Sequence, residues 1–126
     1  FEEEILEKFF NSRIIETINI EDAENNDIFV DEIINLNDKK NIRFIVSESI
    51  QETELEKFKK LISSGIKKNL FFGELRSIKD DQMIIYITNL DLMTYEEAMK
   101  IRERLKFINQ EIYGIVVIKK NLSKSI

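Results

Sequence analysis

The residues able to do chemistry in this chain are acids placed at expected turns. Glu48 follows a β-branched run, and Asp80 and Asp81 sit in a polar break between two further apolar runs. If these runs are three strands of one sheet, the end of the first approaches the start of the third. Carboxylate oxygens meeting there would suit magnesium, calcium or manganese. A plainer explanation competes. Asp is favoured in turns because its side chain bonds its own backbone, and turns are solvated. Turn composition alone would account for these acids; on the alternative reading Glu48, Asp80 and Asp81 are ligand or metal candidates, and the metal is unknown.

Other chemistries fail on composition. The chain has no His and no Cys. That removes Ser-His-Asp and Cys-His nucleophilic catalysis, the usual zinc sites, disulfides and the commonest general base near neutral pH. Gly65, Gly73 and Gly114 are isolated and form no phosphate-cradling pattern. The expectation is a non-enzymatic chain with no cofactor.

The elements that must position these residues follow from periodicity. The 126 residues fit one domain, since domains commonly run to roughly 100–150 residues. Residues 2–10 carry Ile5, Leu6, Phe9 and Phe10 at helical spacing. Residues 14–20 could be strand or helix, 21–27 read as a loop, and 28–36 as a short amphipathic helix. A polar break follows at 37–41. Residues 42–46 form a strand. Ser49 and Glu52 make an S-x-x-E capping box, opening a helix with Leu55, Phe58, Leu61, Ile62 and Ile66 on one face. Residues 70–78 and 83–88 read as strands, and the short turn between them implies an antiparallel hairpin. The second of these is almost continuously apolar, which points to a strand covered on both faces or central in the sheet. Thr94 and Glu97 repeat the capping box before a helix with Ala98, Ile101, Leu105 and Ile108 inward. Residues 112–118 end the pattern as a strand.

This order, β-α-β-β-α-β, predicts an α+β fold: a ferredoxin-like sandwich with a four-stranded antiparallel sheet and two helices on one face. The expected organisation is an acidic, partly helical N-terminal extension (1–40), the ferredoxin-like domain (41–120) and a flexible tail (121–126). The open sheet face needs a cover, either the extension or a second subunit. Gly73 and Gly114, inside strands, mark a bulge or a close backbone approach.

Charge is unevenly spread. Residues 1–40 hold 12 acids and 4 bases, against 12 acids and 15 bases in the remainder, for a net charge of −5. The acidic arm is either solvated, laid on the body, or met by a basic partner. No apolar run is long enough to span a bilayer and the acidic start is wrong for a signal peptide, so a cytoplasmic location is expected. The chain begins at Phe1, which suggests a segment of a longer protein.

The run Arg76-Ser77-Ile78-Lys79-Asp80-Asp81-Gln82-Met83-Ile84-Ile85-Tyr86-Ile87, with Tyr95-Glu96-Glu97-Ala98-Met99-Lys100-Ile101-Arg102-Glu103-Arg104-Leu105, resembles the second half of a GGDEF-type nucleotide cyclase domain. The resemblance covers about residues 76–105. Asp81-Gln82-Met83 would match the last three signature residues and Lys79-Asp80 the two glycines. Those glycines let phosphate approach the backbone, and the signature Glu is Gln82 here. The resemblance therefore implies a degenerate, non-cyclising domain kept for regulation or assembly.

Three functions follow as expectations. The first is a non-enzymatic regulatory or assembly module working through a protein partner or homodimer, with Phe71 and Phe72 as candidate anchors. The second is a degenerate nucleotide-binding sensor near Glu48, Asp80 and Asp81. The third is an RNA-binding domain of RRM-like topology, with Phe44 and Tyr86 as stacking platforms. The RNP signature is missing and the chain is acidic, so nucleic acid is the least favoured partner.

Overall fold

The computed structural model describes residues 2–19, 41–63, 69–73 and 82–119. The expected loop at 21–27 and helix at 28–36 lie outside these residues. In chain order the elements are α1 (Glu3–Phe10), β1 (Ile14–Asn19), β2 (Asn41–Val46), α2 (Glu52–Ser63), β3 (Asn69–Gly73), β4 (Gln82–Thr88), α3 (Tyr95–Phe107) and β5 (Gly114–Lys119).

The sheet corrects the fold expectation. It has five strands in the order β1-β5-β4-β2-β3, and every pairing is parallel. It is an α/β sheet, not a four-stranded antiparallel ferredoxin-like one. The physical reason lies in one short connection. Only residues 74–81 separate β3 from β4, fewer than the dozen or so a parallel crossover usually takes. A hairpin is the natural reading, yet β2 lies between β3 and β4 and pairs with both. The sequence of β4 carried the contrary signal. All seven of its residues are buried, as expected for a central parallel strand covered on both faces.

Strand β1, from the acidic extension, adds to the sheet beside β5. Its entry is fixed locally. Asn11 takes a left-handed conformation (φ 49°) at the end of α1, and the Ser12 N–H donates to Glu7 O. The Glu7 carboxylate then accepts the Ile14 N–H at 2.9 Å, and the Ser12 hydroxyl donates to Ile112 O at 3.2 Å. The glycine of β5 permits the approach of β1. A Cβ on Gly114 would sit 2.6 Å from Ile15 Cγ2, so any side chain there pushes the edge strand away.

Strand alternation builds two cores. One face of the sheet packs Ile42, Phe44, Met83, Ile85 and Val116 against Phe58 and Ile62 of α2. The other packs Ile45, Ile84, Tyr86, Ile115 and Val117 against Leu6 and Phe10 of α1 and Ala98 and Leu105 of α3. Helices therefore cover both faces, and the expected open face is not present. Between α1 and α3, the Arg102 guanidinium stacks over the Phe9 ring at 4.1 Å, and Phe9 meets Tyr95 edge-on. No helix among the described residues is long and apolar enough to cross a membrane.

Candidate functional site

In a parallel sheet, ligands bind outside the carboxyl ends of the strands, at the point where connections leave in opposite directions. Here that point lies between β2 and β4. After β2 the chain runs through α2 to β3 at one edge; after β4 it runs through α3 to β5 on the other side. The two helices lie on opposite faces of the sheet.

Three polar side chains, those of Ser47, Ser49 and Glu97, meet at this switch point. Ser47 directly follows β2, and its N–H extends the ladder by donating to Ile87 O at 2.8 Å. Asn89 directly follows β4, and its side-chain oxygen accepts the Asp91 N–H, forming an Asx-turn. That turn leads to Thr94, whose hydroxyl oxygen accepts the Glu97 N–H at 3.2 Å and caps α3. Capping places Glu97 in the first turn of α3, over the gap between β2 and β4.

The Glu97 carboxylate closes the gap. It is buried, with 7% exposure. One oxygen accepts the Ser47 hydroxyl at 2.9 Å, and the other accepts the Glu48 N–H. The carboxylate fixes the direction of the remaining bonds. Ser47 spends its proton on Glu97, so its oxygen accepts from the Ser49 hydroxyl (2.6 Å) and the Ser49 N–H (3.1 Å). Ser49 in turn accepts the Asn89 N–H at 3.4 Å. A single chain of donors therefore runs from Asn89 through Ser49 and Ser47 to Glu97. It ties the β2–α2 loop to the β4–α3 loop across the sheet. Both hydroxyl protons in it are donated within the chain, which holds the two loops together.

Two groups lie beneath the tie. Burial, and secondarily the charge of Glu97, push the Tyr86 hydroxyl well above the ordinary tyrosine range, so it stays neutral. The Thr88 hydroxyl is fully buried without a hydrogen-bond partner. Beside the tie, an open groove is lined by Glu2, Glu3, Glu4, Asn89, Leu90, Asp91 and Lys119. Lys119 pairs with Glu3 at 3.8 Å, and the rim remains acidic.

The expected site residues fall in different places. Glu48 is at the switch point and exposed, and it contributes its backbone N–H. Asp80 and Asp81 lie outside the described residues. Among the described residues, no three acidic side chains converge to hold a metal ion. Phe44 and Tyr86 are fully buried in the cores of opposite faces, so they offer no shared stacking surface. The RRM-like topology falls with the antiparallel sheet. Phe71 is 40% exposed at the β3 edge, beneath the Arg43 guanidinium, while Phe72 stacks on Phe44.

Sequence reasoning found Thr94 but misassigned Ser49 and Glu97. Helix α2 starts later than the first capping box implies, and it is the Glu54 carboxylate that reaches back to the Gln51 N–H at 3.1 Å. Ser49 is thus left in the loop, free to join the tie. Glu97 turns away from Thr94 and toward Ser47. The available signal was Ser-Glu-Ser at the end of a strand, but only strand order brings it opposite Glu97. Compared with known proteins, the chain matches no protein-family model, no curated protein and no solved structure.

Proposed function

We propose that this chain is a non-catalytic module that acts through protein–protein contact. The observation that carries the reading is the Glu97–Ser47–Ser49 tie. The place where parallel α/β sheets admit a ligand is filled by the protein's own side chains, and the acids beside it repel phosphate. Large apolar residues are meanwhile left in solvent: Leu92 at 57%, Tyr95 at 61% and Phe107 at 88% exposure. Thermal unfolding with a panel of nucleotides and magnesium tests it. The expected result is an unchanged melting temperature; a concentration-dependent rise would mean a ligand enters the switch point.

A nucleotide or other small polar ligand at the same point is the second reading. What favours it is the Thr88 hydroxyl, buried at the end of β4 with its hydrogen-bonding capacity unused.

A further inference from the structure

Among the described residues, the two ends of the sheet differ in charge and both expose apolar side chains. All strands point the same way, so each end gathers one kind of helix terminus. At the carboxyl ends of the strands lie Glu2, Glu3, Glu4, Asp91 and Glu96, all exposed, against the base Lys119. Ile5, Leu92 and Tyr95 are exposed there too. The amino ends, about 20 Å away along a six-residue strand, carry Lys8, Arg13, Lys60, Arg104 and Lys106, with Glu7, Glu103 and Glu111 as the opposing acids. Phe107 and Tyr113 are exposed at that end. The Ile115 N–H donates to Arg13 O, which places Arg13 at the start of β5, close in sequence to Tyr113.

Helix dipoles explain part of this pattern, because acids stabilise helix N-termini and bases stabilise C-termini. They do not explain Phe107, the last residue of α3, with 88% of its surface in water. Nor do they explain three exposed apolar residues at the acidic end. Resting on the protein-contact reading, we propose that the partner is a second copy of this chain. The acidic end of one copy docks on the basic end of the next, with Leu92 and Tyr95 meeting Phe107 and Tyr113. Like ends would set acid against acid or base against base, so the contact is head to tail. Such a contact uses different patches on the two copies and leaves one of each free, so assembly continues past the dimer.

Sedimentation velocity on the whole chain and two blocked variants tests this. The wild type should show a mass that grows beyond two copies with concentration and falls with added salt. Arg104→Ser with Phe107→Ser blocks the basic end, and Glu4→Gln with Leu92→Ser blocks the acidic end. All four positions are exposed, so circular dichroism should report unchanged folds. Each variant alone should associate at least tenfold more weakly, while an equimolar mixture should form one-to-one pairs and nothing larger. A wild-type chain that stays monomeric, a mass that stops at two, or a mixture no better than either variant would overturn the proposal. None of these results touches the broader protein-contact reading, which fails separately if a nucleotide raises the melting temperature.

Discussion

At the scale of the residue, Glu97 does something its sequence position does not announce. As a buried carboxylate it satisfies two donors from a loop fifty residues away, and its charge orders the hydroxyl protons of Ser47 and Ser49. Glu97→Ala should leave the buried Ser47 hydroxyl and the Glu48 N–H without their acceptor, costing about 2 to 3 kcal/mol. Thr94→Ala removes only the helix cap and should cost about 1 kcal/mol. Urea unfolding of the two variants ranks them, and a Glu97→Ala loss no larger than that of Thr94→Ala would remove the tie as a structural feature. Tyr86 gives an alkaline counterpart. Its raised folded-state pKa means that above about pH 10 the unfolded chain ionises this phenol while the folded one resists. The stability it contributes is complete below that pH and is lost as pH rises beyond it. Tyr86→Phe should flatten the alkaline fall in stability; an unchanged pH profile would contradict the burial of the hydroxyl beside Glu97.

At the scale of the element, β1 depends on the absence of a side chain at position 114. Gly114→Ala should destabilise by about 1 to 3 kcal/mol, because a new methyl meets Ile15 inside van der Waals contact. The Gly114→Ala, Ile15→Ala double variant should cost less than the sum of the two single losses, because truncating Ile15 gives the new methyl room. Strict additivity in thermal melts would show that the two positions do not touch. Periodicity in the sequence identified α1, β2, α3 and β5 closely, because each has an apolar stripe at a single spacing. It left β1 ambiguous, since a strand of Ile14-Ile15-Glu16-Thr17-Ile18-Asn19 shows only partial alternation. Its identity comes from β5, which offers a parallel edge that no local pattern reveals.

At the scale of the whole molecule, one topological choice changes everything downstream. Reading β3 and β4 as a hairpin gives an antiparallel sheet with a bare face. Inserting β2 between them gives a parallel sheet covered on both sides and creates a switch point. The candidate site was legible only in fragments for this reason. Glu48 was marked as an acid after a strand, Ser49 and Glu97 as caps, and Thr94 correctly as a cap. Nothing local indicated that these residues face one another, because their meeting depends on β2 and β4 being parallel neighbours with Val46 beside Ile87. The near-continuous apolar run of β4 is the sequence feature that fits a parallel strand covered on both faces, while the short β3–β4 connection favours a hairpin.

The switch point is closed by the Glu97–Ser47–Ser49 tie, and the proposed protein-contact function rests on that closure. Amide resonances of Glu48, Ser49, Asn89 and Glu97, followed by heteronuclear NMR while nucleotides and magnesium are added, test this directly. The Glu48 amide should be strongly protected from exchange, and none of the four resonances should move. Saturable shifts converging on these residues, with the Glu48 amide losing protection as ligand is added, would contradict it.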